Sequence, residues 1–237
     1  MIRIQKFLSE QGIASRRTIE AWIKENRITV NDAVAKLGDK ININNKNQIK
    51  LDNKILKFNN LSTIKPIILL YHKPQGQICT RSDPKNRPTV FENLPKLEHE
   101  RWVAIGRLDL NTSGILLFTN NGDIANQLMH PKYNQEREYL VRIFGTATQE
   151  TLLKLTKGIK LKPENTICRF KTITLISQKS NSWYKVILTE GKNREIKRLF
   201  SAVGLEVNRL IRTRFGNFIL PKTLKPGEYY LTENINL

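Results

Sequence analysis

Cysteine is scarce in this chain of 237 residues, which holds only Cys79 and Cys168. The two form no closely spaced pair, and neither has a His or Cys neighbour at a zinc-ligand spacing. A chain this long can bury its core without disulfides, and a reducing, cytoplasmic setting is expected. Histidine is equally thin: His72, His99 and His130 are dispersed and read as loop or packing residues. Long apolar runs are missing as well. The run Ile67–Tyr71 is strand-sized, against the roughly 18 residues needed for a membrane span. Met1–Lys6 lacks the apolar core of a signal peptide. There is no internal repeat, only a mild Asn/Lys bias near residues 42–60. The surroundings of Gly191 lack a phosphate-loop spacing. No ligand cluster for a metal or organic cofactor is found, and none is expected.

Negative charge is also in short supply. Against 40 Lys and Arg stand 21 Asp and Glu, a formal net charge of +19. A polyanion is the natural partner, because each cation meeting a phosphate releases a condensed counterion. Without a membrane segment, nucleic acid is favoured over lipid. Basicity alone does not separate RNA from DNA. Residues 1–60 hold 12 Lys/Arg and 6 Asp/Glu, so the excess is spread along the chain rather than gathered in a tail.

Apolar spacing divides the chain. Ile4, Phe7 and Leu8 recur at helical spacing, and Gly12 can end that helix. Ser15 reads as the N-cap of a second helix, with Ile19, Trp22 and Ile23 as its apolar stripe. Arg27–Val30 reads as a strand and Asn31-Asp32 as its turn. Ile49–Leu51 and Ile55–Phe58 flank a hairpin turn. These elements predict a compact module over residues 1–60, a linker over 61–65 within the polar stretch that starts at Asn59, and a second domain over 66–237. In the second domain, extended segments are predicted at 67–71, 77–80, 102–105, 115–119, 137–144, 168–177 and 183–189, with the last two paired. Helices are predicted at 123–129, 148–156 and around Ile196, Leu199, Phe200 and Val203. The order predicts an α+β chain whose larger domain is built on a mixed, mostly antiparallel sheet.

One loop concentrates the chemistry. Gly106-Arg107-Leu108-Asp109-Leu110-Asn111-Thr112-Ser113-Gly114 sets a carboxylate beside an arginine between glycines. Alone, such an Asp reads as a turn residue. The wider sequence GRLDLNTSGILLFTNNGDIANQLMHP resembles the catalytic motif of the RsuA/RluB-type pseudouridine synthases. EREYLVRIFG and EGKNREIKRLFSAVGLEVNRLIRTRFG continue the match in order, so it spans nearly all of residues 2–220. Its details fit the large-subunit, RluB-type branch. The resemblance implies the pseudouridine synthase fold and isomerisation of a uridine in large-subunit (23S) ribosomal RNA, with no cofactor.

The same resemblance assigns roles. Asp109 would be the essential carboxylate, Lys197 its basic partner, and Tyr139 the ring that stacks on the target base. Family members carry Arg where this chain has Lys197, so bidentate geometry is absent here. Arg107 would hold the RNA open, and Lys192, Arg194 and Arg198 would face it. The plainer alternatives are core packing for Tyr139 and a solvated basic helix face. The stretch IRIQKFLSEQGIASRRTIEAWIKENRITVNDAVAKLGDKI resembles the RNA-binding domain named after small-subunit ribosomal protein S-four. It would bind RNA through Arg3, Lys6, Ser15, Arg16, Arg17, Arg27 and Asn31. Arg16 and Arg17 stand at a helix start, where cations are disfavoured. An arriving phosphate would relieve that conflict; a solvated helix end is the alternative.

Making pseudouridine breaks the bond from ribose to a ring nitrogen, turns the base, and rejoins it through carbon, with no redox change. A carboxylate can act as nucleophile or base. The base must first leave the stack. Burial raises a carboxyl pKa and a nearby cation lowers it, so an ionised Asp109 calls for a basic neighbour. The competing readings are a small-subunit (16S) enzyme, a non-catalytic ribosome assembly factor that binds RNA, and a DNA-binding protein. The expected partner is ribosomal RNA or an assembly intermediate, with no membrane and no obligate protein partner, and the chain is expected to be a monomer.

Overall fold

The computed structural model describes residues 1–42, 47–58, 65–97, 101–233 and 235. His99 and most of the expected linker lie outside the described residues. The chain forms two compact units, one comprising Met1–Pro66, Lys96–Val103 and Asn120–Gly122, the other the remainder. Two short later segments therefore belong with the first unit, in addition to the N-terminal stretch. Within it, Arg101 Nη2 donates to Ser9 Oγ at 2.9 Å.

The first unit opens with β1 (Ile2–Arg3), α1 (Ile4–Glu10) and α2 (Arg16–Lys24). Gly12, at φ +75°, makes the turn between the helices. Ser15 caps α2, its Oγ accepting from the Thr18 backbone N–H at 3.0 Å. Then come β2 (Ile28–Val30), β3 (Ala33–Val34), β4 (Lys40–Ile41), β5 (Ile49–Leu51) and β6 (Lys54–Ile55). The small sheet runs β3-β2-β5-β6, and β1 pairs with β4. The helices bury Ile4, Leu8, Ile19 and Ile23 against Ile28, Ile41 and Ile49. That is the predicted apolar stripe, and its burial supplies the hydrophobic driving force of this module.

The second unit is built on β7 (Ile68–Lys73), β8 (Val103–Ile105), β9 (Ser113–Thr119), α3 (Gly122–Met129), β10 (Arg137–Phe144), α4 (Gln149–Lys157), β11 (Ile159–Leu161), β12 (Thr166–Cys168), β13 (Thr172–Gln178), β14 (Asn181–Leu188), α5 (Glu195–Ser201), β15 (Val207–Phe215), β16 (Phe218–Ile219) and β17 (Tyr229–Thr232). Its main sheet runs β13-β14-β10-β15-β9-β7-β17, with β8 beside β9 and β16 beside β15. The β9–β15 pair is parallel; the other pairs along this order are antiparallel. This is the mixed, mostly antiparallel sheet expected from the sequence. β7 and β9 are buried nearly throughout, as central strands covered on both faces should be.

Three segments differ from the sequence reading. Gln77–Thr80 joins its neighbour only through one bridge, Ile78 to Thr89. The predicted strand 168–177 is broken, because the Phe170 N–H turns to the Leu155 carbonyl at 3.0 Å while its ring is buried near Phe200. Its later part, β13, does pair with β14. The third difference is β15, which sequence periodicity did not mark as a strand. It interposes five cationic or polar side chains among its apolar ones, and it lies at the centre of the sheet.

Candidate active site

The loop before β9 is held from below by the segment that follows β7. Lys73 is fully buried, and its Nζ donates to the carbonyl oxygens of Pro74 (2.9 Å), Asp109 (3.1 Å), Leu110 (3.4 Å) and Thr112 (2.9 Å). The Gly76 N–H donates to the Leu110 carbonyl at 2.9 Å, and Gln75 Nε2 to that of Asn111 at 3.2 Å. Cys79 Sγ lies 3.3 Å from both the N–H and the carbonyl oxygen of Leu108. The Asp109 carbonyl also accepts from the Thr112 N–H at 3.0 Å, closing a turn. The loop geometry is thus set by backbone bonds on nearly every residue around Asp109.

Burial pushes the Lys73 ammonium down to about 8, and the charges of Cys79 and Asp109 oppose that shift. The same burial pushes the Cys79 thiol up, opposed by its bond to Leu108 and by the nearby cations Lys73, Arg212 and Arg107. Lys73 is therefore a buried cation whose charge interacts with that of Asp109. No helical or strand periodicity pointed to it. The signal that was available was a lysine ending an otherwise apolar strand.

Asp109 opens into a cavity of about 550 Å³. Tyr139, Lys197 and Arg107 line the same cavity, so residues predicted from three separate motifs are brought together. They arrive on different elements: Asp109 and Arg107 on the loop, Tyr139 on β10, Lys197 on α5. Tyr139 is buried, Asp109 and Lys197 are half-buried, and Arg107 is exposed. Lys192 and Arg194 also reach the cavity wall. Arg194 holds a left-handed backbone, φ 49°, at the start of α5, and the Glu195 carboxylate accepts from the Lys192 N–H at 2.9 Å. Lys192 Nζ is 2.5 Å from Glu190. Arg198 turns away from the cavity: it pairs with Glu164 and donates to the Lys162 carbonyl, tying α5 to the loop between β11 and β12.

Two cavity arginines were missed in the sequence. Arg137 donates to the carbonyls of Gln135 and Thr189, both at 2.9 Å, and lies 4.9 Å over the Phe215 ring. Burial pushes its guanidinium down, with Arg212 adding to that effect and Tyr139 and Glu195 opposing it. Arg212 on β15 is 2 % exposed and lies directly across from Tyr139 in the β10–β15 register. Its Nε donates to the Ile115 carbonyl at 2.8 Å, while Nη2 is buried without a hydrogen-bond partner. Alternation along β15 puts Leu210 and Arg212 on one inward side, a pattern that marks Arg212 once β15 is known to be a strand. On its other side Arg212 registers with Gly114 of β9. Gly114 has φ +109°, and a Cβ there would lie 2.2 Å from the Arg212 carbonyl oxygen, so only glycine lets these two strands meet.

The RNA-binding candidates of the first unit divide by their partners. Arg27 pairs with Asp52 at 2.6 Å and with Glu25, and lies 5.5 Å over the Trp22 ring. Those partners push its guanidinium further up. Asn31 is tied to Gln48 and Asn47. Lys6 and Arg16 approach Glu10 at 3.7 and 3.9 Å, Ser15 is the helix cap, and Arg3 and Arg17 are exposed. His72 bonds to the distant Leu224 carbonyl, and His130 makes a local bond to the Lys132 N–H. Among the described residues no group of three or more His, Cys, Asp or Glu could hold a metal ion, and no helix is long and apolar enough to cross a membrane.

A sheet crossed by one parallel pair thus sets a loop carboxylate, a strand tyrosine and a helix lysine around one cavity. Residues 67–202 match the RNA pseudouridylate synthase family and residues 2–46 match the S4 domain; the chain belongs to the RNA pseudouridylate synthase family. It is 47% identical over 226 residues to a protein of Yersinia pestis named ribosomal large subunit pseudouridine synthase B, covering 95% of this chain and 70% of that one. A Shigella flexneri protein of the same name is 46% identical, covering 95% of this chain and 77% of its own length. A solved structure described as a pseudouridylate synthase shares the fold at a TM-score of 0.66 and 24% identity, covering 98% of this chain and 96% of that one.

Proposed function

We propose that this enzyme isomerises one uridine of large-subunit ribosomal RNA to pseudouridine, with Asp109 as the catalytic carboxylate. The observation that carries the reading is the convergence of Asp109, Tyr139 and Lys197 on one cavity. The two relatives named above, each matched over 95% of this chain, support the large-subunit target.

In this reading the target base leaves the RNA stack and enters the cavity. Tyr139 stacks on it, an interaction worth roughly 1–3 kcal/mol. The carboxylate of Asp109 acts at the ribose or the base while the bond to the ring nitrogen breaks. Lys197 supplies positive potential at the cavity wall. Arg107, exposed at the rim, props the vacated RNA position. Arg3, Lys6, Arg16 and Arg17 hold phosphates on the first unit, and Lys192 and Arg194 on the second; Ser15, Arg27, Asn31 and Arg198 keep their own surfaces in shape. The enzyme works as a cytoplasmic monomer on ribosomal RNA or an assembling particle.

The test is tritium release from ribosomal RNA labelled at ring position 5 of uridine, with wild type and Asp109→Asn. The expected result is release by wild type alone, and from large-subunit RNA or its immature particle rather than small-subunit RNA. Release by both proteins would remove Asp109 from the mechanism. Release from small-subunit RNA alone would overturn the target.

A further inference from the structure

We propose that Arg212 stabilises the uracil anion released when the glycosidic bond breaks, an inference that rests on the pseudouridine synthase reading above. Cleavage leaves the electron pair of that bond on the ring nitrogen. The departing base is then a monoanion whose charge spreads onto its carbonyl oxygens. The anomeric carbon is balanced in one of two ways: it bonds to the Asp109 carboxylate, or a neighbouring ribose proton passes to that carboxylate. Rejoining through ring carbon 5 uses an electron pair of the same anion and releases the proton from that carbon. No oxidant or reductant enters, and in either route the charge to be stabilised sits on the base.

Arg212 is placed for that charge. It lines the cavity shared with Asp109 and Tyr139. Directly opposed residues on antiparallel strands project to the same face, so Arg212 and Tyr139 share one face of the sheet, and the guanidinium lies 5.1 Å over the Phe215 ring. It is buried, and Nη2 has no hydrogen-bond partner. A buried donor left unmade costs free energy that an incoming acceptor recovers. A donor fixed in a low-dielectric site acts on developing charge without reorganising. The bond from Nε to the Ile115 carbonyl fixes the side chain in that position.

The other buried cations are spoken for. Lys73 spends its protons on four carbonyl oxygens of its own chain. Arg137 donates to two carbonyls. Arg107 and Arg194 are exposed, where water screens their charge. A purely structural Arg212 would resemble Lys73, with its terminal nitrogens bonded to the backbone.

The test varies the leaving group. Ribosomal RNA is transcribed with uridine or with 5-fluorouridine, whose fluorine withdraws electrons and stabilises the departing anion. Glycosidic cleavage is followed under single-turnover conditions with saturating wild type, Arg212→Lys and Arg212→Met, reading conversion of the N-linked nucleoside. Arg212→Met is expected to slow the uridine substrate about 100-fold or more, and the fluorinated substrate by a clearly smaller factor. Arg212→Lys, which keeps the charge, should fall between. The ratio of the two rates within one variant is insensitive to how much of it is folded. Equal slowing of both substrates, or no slowing of either, overturns the role. Wild-type turnover of the uridine RNA checks the underlying activity separately, so a wrong RNA target and a wrong role for Arg212 give different results.

Discussion

The Lys73 ammonium donates to the backbone carbonyl of Asp109 at 3.1 Å from a position with no solvent exposure. A cation buried under the loop holds the residue expected to react. It does so through the backbone, which leaves the carboxylate free for substrate.

Lys73→Met should therefore loosen the loop. Bonds from a charged donor contribute roughly 1.5–3 kcal/mol each in favourable cases, so we expect a loss of that order in urea unfolding, with kcat falling more than KM rises. The pH dependence has a defined sign. Burial holds the folded-state value at about 8, below the ordinary value of 10.5. The penalty for burying the charge is full below about pH 8 and vanishes above 10.5. Wild type should therefore gain stability relative to Lys73→Met across that window, by up to roughly 3 kcal/mol. A flat difference between pH 7 and 10.5 would refute the burial argument.

Gly114→Ala should be among the most damaging single-methyl changes. The added carbon meets backbone at 2.2 Å and sits at φ +109°. Overpacking typically costs about 1–3 kcal/mol, and a strained left-handed residue adds roughly 1–3 more. Thermal melting of the purified variant measures the sum; a change under about 1 kcal/mol would mean that β9 and β15 can separate freely.

Tyr139→Phe should retain most activity, because the ring is kept. Tyr139→Leu should lose roughly 5- to 150-fold in kcat/KM, the equivalent of one stacked base. Equal effects of the two substitutions would assign the hydroxyl, rather than the ring, the main role.

Arg194→Ala and Arg198→Ala should separate RNA contact from internal support. Arg194 is exposed at the cavity rim, so its loss should reduce the slope of log affinity against log salt by about 0.7–0.9. Arg198 is committed to Glu164 and Lys162. Its loss should leave that slope unchanged and lower the melting temperature. Filter binding at several salt concentrations decides, and the reverse pattern would exchange the two assignments.

Arg16→Ala combined with Arg17→Ala should weaken RNA capture while leaving single-turnover kcat within about twofold, since each phosphate contact acts mainly on affinity. A large drop in kcat at saturating RNA would place these residues in the chemistry.

Much of this was legible in the sequence. Helical spacing of Ile4, Phe7 and Leu8 and the cap at Ser15 gave the first module, because local periodicity and capping follow directly from backbone geometry. The cavity residues Asp109, Tyr139 and Lys197 were found through motif order. What escaped were groups whose meaning depends on distant neighbours. Lys73 and Asp109 are bonded across 36 positions, and Arg212 and Ile115 across 97. Nothing local to Arg212 distinguishes it from Arg209 or Arg214; only strand register makes it a buried cavity residue. The break at Phe170 escaped for the same reason, since it answers to Leu155 and Phe200 rather than to its own propensity.

The parallel contact between Gly114 and Arg212 also orders events at the ribosome that makes this chain. The loop bearing Asp109 leaves the exit tunnel nearly a hundred residues before its partner strand β15. Until Val207–Phe215 arrives, the sheet has a gap between β10 and β9, and Tyr139 and Asp109 stand on separate edges. A nascent chain can therefore hold Asp109 and Tyr139 without the strand that joins them in one cavity. The cavity is completed late, when the closing strand is inserted.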